Sequence, residues 1–288
     1  MRRAVIDIGT NTVKLLVADV TQQQVVAVLA TDRTTRLGEG VDRSRKLSAA
    51  AMARTTRAIQ DFLAEARAIG ATDCVALTTS AARDAVNRDE FLARVREVCG
   101  LDVELISGER EAELIFRGVS SDPEWSDAPI LVVDVGGGSA EFIQGAGGKM
   151  EVFRSLPLGA LRLTEKFGEG RFAELCEELR TTLRDALAGY SASGRRVIAT
   201  GGTMVTLARV ECGASDHATI SREKLQVVVR RLEAMPLAER KKVPGLPPER
   251  ADIIVAGGAV LLTVMEVLGA GELTVSIRNL RYGVLVAD

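Results

Sequence analysis

Apolar residues recur along the chain in two patterns that alternate through both halves. Short apolar runs at 4–6, 73–79, 102–106, 130–133 and 196–200 have the length and aliphatic character of buried strands. Apolar positions spaced by three and four residues predict helices at 48–69, 87–99, from about 109, and at 160–167, 170–189, 203–211 and 221–234. Because strands alternate with helices in both halves, the pattern predicts an α/β protein.

The strand-turn-strand unit at the start of the chain occurs a second time near its middle. Residues 2–20 contain the turn Asp7-Ile8-Gly9-Thr10-Asn11-Thr12, and residues 130–146 contain the turn Asp134-Val135-Gly136-Gly137-Gly138-Ser139. This repetition predicts an internal duplication. A polar, proline-bearing stretch at 120–127 precedes the second copy, so we predict one α/β domain at 1–122 and another at 123–288.

Composition and charge narrow the classes of function. A chain of 288 residues suits two domains, and its net charge of −2 offers no general attraction for a polyanion, so we expect no nucleic-acid partner. The sequence has no apolar stretch long enough for a bilayer and no signal-peptide pattern, so we expect no membrane contact and a cytoplasmic protein. The cysteines form no C-x-x-C pair and are read as buried thiols, and the single histidine, His217, is read as a surface loop residue.

Both glycine-rich turns place several backbone N–H groups at the end of a buried strand, an arrangement that can cradle an anion. Simple closure of a hairpin is the alternative for either copy taken alone. The segments after the turns look like strands and lack a G-K-[ST] ending, which argues against a Rossmann or P-loop site. If the halves face each other, Asp7 and Asp134 could hold Mg²⁺ on phosphate oxygens, although each could instead only cap its own turn.

Motifs spread along nearly the whole chain together resemble one known family. The two turns, the second continuing to Glu141, resemble the phosphate motifs of the exopolyphosphatase and guanosine-pentaphosphate phosphatase (Ppx/GppA) family of the actin, hexokinase and Hsp70-like superfamily. The resemblance continues through R-L-G-E-G at 36–40, T-S-A-A-R-D-A-V-N at 79–87, S-G-E-R-E-A at 107–112, S-L-P-L-G at 155–159 and T-G-G-T at 200–203. It implies two ribonuclease H-like α/β domains of the actin-like ATPase fold, facing each other across an interdomain cleft.

The family resemblance also implies a catalytic glutamate at Glu111. A carboxylate there would act as general base on the water that attacks the terminal phosphorus. Without the resemblance, Glu111 would be read as part of the solvated face of a helix, because Glu109 and Glu113 stand close by.

Glu141 and Arg83 are further implied members of the site. Glu141 would help to organise the metal or the attacking water, although a carboxylate on a return strand could equally be a solvated edge charge. Arg83 would bind phosphate through its guanidinium, and its alternative is a salt bridge to Asp84 or Asp89.

The remaining implied residues surround the phosphate and the metal. The implied phosphate-binding residues are Gly9, Thr10, Asn11, Thr12, Arg83, Gly136, Gly137, Gly138 and Ser139. The implied ligands of Mg²⁺ are Asp7, Asp134 and Glu141. The segment Gly201-Gly202-Thr203 opens a helix whose positive end could face another phosphate or a nucleotide, or it could be an inherited structural turn.

Two departures from the family pattern lie in the C-terminal part of the sequence. The closing segment, which contains Arg278 and Arg281, has Ile277 in place of the usual acidic residue. The sequence ends at Asp288, without the further helical region of long family members. We therefore expect weaker processivity or a preference for shorter polyphosphate chains.

The resemblance implies a Mg²⁺-dependent phosphohydrolase that releases terminal orthophosphate. The substrate would be inorganic polyphosphate, short chains included, or guanosine pentaphosphate, since both present the same terminal phosphoryl group. One alternative is a non-catalytic sensor of polyphosphate or alarmone, and another is an ATP-dependent kinase or chaperone-like ATPase of the same superfamily. The sequence leaves open the choice of substrate and the formation of a homodimer.

Overall fold

The computed structural model describes residues 1–21, 24–213 and 216–286, and the chain forms two compact units. The first unit contains Met1–Gly118 together with the C-terminal helix that begins at Leu280, and the second contains Val119–Asn279. These units are defined by contacts within the chain. The predicted domain boundary between residues 122 and 123 therefore stays a prediction.

The secondary structure alternates between strands and helices in both units. Within the described ranges the strands are β1 (Arg2–Ile8), β2 (Thr12–Val20), β3 (Val25–Thr34), β4 (Asp73–Thr78), β5 (Val103–Leu105), β6 (Ile130–Val135), β7 (Ala140–Ala146), β8 (Lys149–Leu156), β9 (Arg196–Thr200), β10 (Thr219–Ser221) and β11 (Glu272–Val275). The helices are α1 (Val41–Ser44), α2 (Ala49–Ala68), α3 (Ser80–Asp84), α4 (Arg88–Cys99), α5 (Gly108–Ser120), α6 (Ala160–Phe167), α7 (Phe172–Ala186), α8 (Gly201–Cys212), α9 (Arg222–Ala234), α10 (Leu237–Arg240), α11 (Ile254–Leu268) and α12 (Leu280–Val286), with a 3₁₀ turn at Pro248–Arg250.

The two sheets share the order of five strands, and the second sheet has one further strand at its edge. In the first unit the order is β3-β2-β1-β4-β5, and in the second it is β10-β11-β9-β6-β7-β8. In each unit the first three strands along the chain pair antiparallel, as β1-β2-β3 and β6-β7-β8. The first of them also pairs in parallel with the next strand along the chain, β4 or β9. The predicted α/β class is confirmed, and the shared order supports an internal duplication.

Burial follows from the apolar runs that predicted the strands. Strands β1 and β6 lie inside their sheets, and the apolar side chains of Val5, Ile6, Val132 and Val133 are fully buried. Helix α2 covers the first sheet, and its first turn is capped by the Ser48 hydroxyl, which accepts a hydrogen bond from the amide of the third residue after it. The buried apolar side chains of the strands and helices form a separate core in each unit.

Helix α5 is held in place by the C-terminal helix. A Cβ atom on Gly283 of α12 would lie 1.8 Å from the carbonyl oxygen of Leu114 on α5, so this close approach requires glycine. The hydroxyl of Ser107 accepts a hydrogen bond from the amide of Arg110 at 3.1 Å, which satisfies one of the free donors of the first turn. These contacts fix the start of α5, where Glu111 lies.

Most predicted elements are present, with shifts of a few residues at their ends. The helix predicted at 203–211 begins at Gly201, and the segments 25–34, 149–156 and 254–268 contain elements for which the pattern gave no prediction. Three cysteines are half-buried, but Cys212 is exposed, so the expectation of buried thiols is wrong there. None of the helices in the described part of the chain is both long enough and apolar enough to cross a bilayer.

Candidate functional site

The two aspartate-led turns occupy equivalent registers in their sheets. In the first unit Asp7 on β1 lies opposite Lys14 on β2. In the second unit Asp134 on β6 lies opposite Glu141 on β7. The position opposite the aspartate is therefore occupied by a basic residue in one unit and by an acidic residue in the other.

Both turns close through the same backbone hydrogen bond. The amide of Gly9 donates to the carbonyl of Thr12 at 3.1 Å, and the amide of Gly136 donates to the carbonyl of Ser139 at 3.0 Å. A Cβ atom on Gly9 would lie only 3.0 Å from that carbonyl oxygen. The tight closure explains why glycine follows the strand in both copies.

The segment after β3 holds the carbonyl groups of the first turn. The amide of Gly38 donates to the carbonyl of Thr10 at 2.8 Å, while the amides of Thr35 and Arg36 donate to the carbonyl of Asn11 at 3.0 and 2.9 Å. A Cβ atom on Gly38 would lie 2.3 Å from the Cγ2 atom of Thr10. The motif at 36–40 therefore packs against the turn and fixes its carbonyl groups.

The start of α6 holds the second turn in the same way. The amides of Ala160 and Leu161 donate to the first two carbonyls of 136–138, each at 2.9 Å, and the guanidinium of Arg162 donates to the third at 2.9 Å. A Cβ atom on Gly159 would lie 2.3 Å from backbone atoms of this turn. Glycine is required here because backbone atoms cannot rotate away.

Two amides in each turn have no hydrogen-bond partner among the described residues. The N–H groups of Thr10, Asn11, Gly137 and Gly138 donate to no group in the described part of the chain. The side-chain oxygen Oδ1 of Asn11 is also buried without a hydrogen-bond partner among the described residues, although Nδ2 donates to the hydroxyl of Thr12 at 3.1 Å. In each turn the carbonyl groups accept hydrogen bonds from a neighbouring segment, while two amide groups are unpaired among the described residues. Such a backbone arrangement is suited to binding an anion.

Glu111 lies in the first turn of α5 and is buried, with 7% of its surface exposed. Its carboxylate accepts a hydrogen bond from Nη1 of Arg83 at 2.7 Å, and the same nitrogen donates to the carbonyl of Ile106 at 3.0 Å. The reading of Glu111 as a solvated helix residue is therefore wrong. The guanidinium of Arg83 forms an ion pair with this carboxylate.

Asp134 and Glu141 bring two buried carboxylates together at the end of β6. Glu141 is 1% exposed, so its reading as a solvated edge charge is wrong. The hydroxyl of Ser155 on β8 donates to Oε1 of Glu141 at 2.8 Å. Two carboxylates fit Mg²⁺, because this ion is usually held by one or two carboxylates together with waters and substrate phosphates.

Asp7 has a different environment, because cations face it. The Nζ atom of Lys14 lies 3.7 Å from Oδ2 of Asp7. Burial lowers the pKa of the Arg281 guanidinium, which donates to the carbonyl of Leu15 at 2.8 Å, while the charge of Asp7 acts to raise that pKa. A metal ion at Asp7 would therefore meet nearby positive charge.

The turn at Gly201 and Gly202 packs against charged groups of the second unit. Gly201 has φ +85°, and a Cβ atom on it would lie 2.1 Å from Oδ1 of Asp134. A Cβ atom on Gly202 would lie 2.1 Å from Nη1 of Arg250. Gly201 is favoured by its positive φ, whereas at Gly202 the nearest atoms belong to the end of a flexible side chain, and both contacts favour a structural turn.

The structure groups the predicted site residues within each unit. In the first unit Arg83 and Glu111 are paired, and in the second Asp134 and Glu141 are adjacent, while the roles of the turn residues in binding phosphate stay predictions. No group of three His, Cys, Asp or Glu side chains suited to a metal occurs among residues 1–21, 24–213 and 216–286. The predicted cleft concerns the arrangement of the two units and also stays a prediction.

Sequence reasoning gave no role to the residues that hold the site from behind. Gly38, Gly159, Arg162 and Ser155 position the turns and Glu141, and Lys14 sets the charge beside Asp7. A repeated Leu-Gly pair after the third strand of each unit was the available signal, since a glycine at that place allows close approach to the turn.

Comparisons with known proteins show the family of the chain. The family model for the Ppx/GppA phosphatase family matches residues 16–288. The chain is 33% identical over 302 residues to exopolyphosphatase 1 of Mycobacterium leprae, covering 99% of this chain and 89% of that protein. It is 30% identical over 292 residues to a guanosine-5'-triphosphate,3'-diphosphate pyrophosphatase of Aeromonas hydrophila, covering 98% of this chain and 58% of that protein.

A solved structure carries the same fold. The crystal structure of an exopolyphosphatase from Cytophaga hutchinsonii matches 99% of this chain and 96% of its own, with a TM-score of 0.90 and 27% identity. The two-domain α/β fold of the actin-like class is confirmed, and so is phosphohydrolase function. The chain belongs to the Ppx/GppA phosphatase family.

Proposed function

We propose that the protein releases terminal orthophosphate from inorganic polyphosphate, short chains included, with the help of Mg²⁺. The unpaired amides of the two turns, beside buried carboxylates, carry this proposal. Relatives named exopolyphosphatase match almost the full chain, which supports polyphosphate as the substrate. Guanosine pentaphosphate is the second candidate, because the Aeromonas relative is named for that class of nucleotide.

The turns bind phosphate oxygens through their backbone. The amides of Thr10 and Asn11 in the first unit and of Gly137 and Gly138 in the second supply fixed donors that need no reorganisation when the negative charge shifts in the transition state. Both turns act on one substrate only if the two units close on it. This closure is part of the proposal, as is a role for Thr12 and Ser139 as further donors.

Glu111 removes the proton from the attacking water. The water oxygen bonds to the terminal phosphorus, the bond to the bridging oxygen breaks, and the shortened chain leaves with that oxygen. Before substrate arrives, Arg83 donates a hydrogen bond to the carboxylate of Glu111 at 2.7 Å. Phosphate then competes with Glu111 for Arg83, which frees the carboxylate to accept a proton.

Asp134 and Glu141 are the residues that would hold Mg²⁺. The ion, when bound, would neutralise charge on the phosphate oxygens. Ser155 fixes the orientation of Glu141 through its hydroxyl. Asp7 keeps its place as a candidate ligand only if Lys14 moves away from it.

A phosphate-release assay with Mg²⁺ tests this proposal. Wild type is compared across polyphosphate lengths, guanosine pentaphosphate and ATP, and then with Glu111→Gln and Glu109→Gln. Glu109 is the matched control because it is exposed in the same first turn of α5. We expect Glu111→Gln to lower kcat by about a hundredfold to ten-thousandfold, as for loss of a general base.

The outcomes separate the alternatives. Equal turnover in Glu111→Gln and Glu109→Gln would remove Glu111 from the reaction. Tight binding of polyphosphate by wild type without any turnover would select the sensor hypothesis. Phosphorylation of an added acceptor by ATP would select the kinase hypothesis.

A further inference from the structure

His217, the only histidine of the chain, lies within hydrogen-bond distance of two carboxylates in the second unit. Its Nε2 atom lies 3.0 Å from Oδ2 of Asp122, and its Nδ1 atom lies 2.8 Å from Oε2 of Glu124. Both carboxylates belong to the polar, proline-bearing stretch at 120–127. A neutral imidazole has one N–H donor, whereas an imidazolium has two. His217 can therefore donate to both carboxylates only when it carries a second proton.

The backbone of His217 is held by strand β11. Its amide donates to the carbonyl of Val275 at 3.0 Å, and the amide of Val275 donates to the carbonyl of Ala218 at 2.8 Å. His217 has φ +56°, in the left-handed region that residues with side chains adopt infrequently. Such conformations persist where the surrounding structure fixes them, often at functional sites. The hydrogen bonds to β11 therefore fix the backbone from which the imidazole reaches the polar stretch.

Three further charged side chains surround the imidazole and its two carboxylates. The Nε atom of Arg278 lies 3.5 Å from Oδ2 of Asp122, and Nη1 of Arg196 lies 2.6 Å from Oε1 of Glu124. The Oδ1 atom of Asp216 lies 3.7 Å from Nε2 of the imidazole. Three carboxylates are thus grouped with two guanidinium groups. A protonated imidazole supplies the third positive charge of this cluster.

The cluster lies beside the two places where the chain passes between the units. The chain leaves the first unit after Gly118 and returns to it at Leu280. Next to these places, Nη1 of Arg278 donates to the carbonyl and hydroxyl oxygens of Ser121 at 2.7 and 2.9 Å. Arg278 and the imidazole also contact the same carboxylate, that of Asp122. The segments that follow and precede the two places are therefore bound to each other within the second unit.

We propose that His217 is a pH-sensitive clasp for the polar stretch at 120–127. At low pH the imidazolium donates to both Asp122 and Glu124 and holds the stretch against β11. Histidine changes its charge between about pH 5 and 8, and above this range a neutral ring keeps one of the two hydrogen bonds. The clasp goes beyond the proposed phosphohydrolase function, because none of its residues belongs to the two turns or to the carboxylates assigned to the reaction.

Two spectroscopic signals report on the clasp, because the chain has one histidine and one tryptophan. Nitrogen NMR of the labelled imidazole counts the protons on its two ring nitrogens. The ring centroids of Trp125 and His217 lie 5.0 Å apart, so the charge of the imidazole changes the surroundings of a buried indole. Amide NMR of residues 120–127 follows the stretch itself. All signals are recorded on the full chain across the range of histidine titration.

We expect the imidazole, the indole fluorescence and the amides of the stretch to change with one common midpoint. His217→Gln removes the change at the indole and at the amides. Glu124→Gln moves the midpoint of the imidazole to lower pH by about 0.3 units or more, because the imidazolium loses an opposite charge. Asp127→Asn, an exposed residue of the same stretch, is the matched control and leaves the midpoint in place. Thermal unfolding confirms that the variants fold.

Three outcomes would overturn the clasp. The first is an imidazole that titrates without any response of the amides at 120–127. The second is a change at those amides that persists in His217→Gln, and the third is an equal midpoint in Glu124→Gln and Asp127→Asn. None of these measurements involves turnover, so a failure of the proposed function would leave the test of the clasp unaffected.

Discussion

The two glycine-rich turns share a backbone but differ in the charge beside their aspartates. In the first unit Asp7 faces Lys14 across the hairpin, whereas in the second Asp134 faces Glu141 at the same step. A carboxylate beside a cation is already neutralised, while two adjacent carboxylates attract a metal ion. In the proposed function the duplicated scaffold would therefore supply phosphate donors twice, and the residue opposite the aspartate would decide which copy suits Mg²⁺.

The backbone arrangement is common to both copies because it depends on glycine and not on charge. In each unit the segment after the third strand donates amides to the carbonyls of the turn. The next two amides of each turn donate to no group in the described part of the chain. The backbone arrangement that we propose for anion binding is therefore present in both units, although the neighbouring side chains differ.

Removing the charge of Glu141 is expected to have the largest effect on activity. Glu141→Gln keeps the shape of the side chain but removes half of the proposed metal site, so we expect kcat to fall by about a hundredfold. Lys14→Gln changes the equivalent position of the first unit and leaves the Mg²⁺ dependence unchanged. The measurement is phosphate release over a range of Mg²⁺ concentrations. An equal rise in the Mg²⁺ requirement of both variants would contradict the asymmetry.

Filling the space behind the turns is expected to have an intermediate effect. Gly159→Ala would place a Cβ atom 2.3 Å from backbone atoms of Gly137 and Gly138, which cannot rotate away. Gly38→Ala would place its Cβ atom mainly against the side chain of Thr10, which can rotate away. We expect Gly159→Ala to lose roughly 1–3 kcal/mol in the free energy of unfolding and Gly38→Ala to lose less.

Chemical denaturation and kcat/KM for polyphosphate measure this difference. A decrease of about tenfold in kcat/KM is expected for Gly159→Ala, since a displaced amide loses one phosphate contact. Equal losses in both variants would show that the two turns are equally rigid.

Removing the Ser155 hydroxyl is expected to have the smallest effect. Ser155→Ala removes the donor at 2.8 Å from Glu141, and such supporting groups change metal affinity by about tenfold or more. We expect a higher Mg²⁺ concentration for half-maximal activity with kcat recovered at saturation. Ser155→Thr keeps the hydroxyl and is the control. A loss of kcat that Mg²⁺ cannot restore would assign Ser155 another role.

Much of the fold followed from the sequence because its strands and helices have clear apolar patterns. Helix α11 lacks an alternation of apolar and polar positions, because it is buried on nearly all sides, and it contains Gly257 and Gly258. Strand β3 is an edge strand whose Val26 and Val28 are exposed, which removes the alternation expected of a half-buried strand.

The site was predicted less completely than the fold. Asp134 and Glu141 meet because antiparallel register places them opposite each other, a relation that spacing along the chain suggests. The pairing of Arg83 with Glu111 joins residues from two helices, and no local pattern encodes that contact. The return of α12 to the first unit is equally non-local, and it was not predicted.

Backbone amide NMR during titration with a non-hydrolysable imidotriphosphate, in the presence of Mg²⁺, tests phosphate binding by the two turns most directly. We expect the amide signals of Thr10, Asn11, Gly137 and Gly138 to shift together with one apparent Kd, because both sets of unpaired donors bind one phosphate chain. Shifts confined to one turn, or absent from both, would contradict binding by a shared pair of backbone cradles.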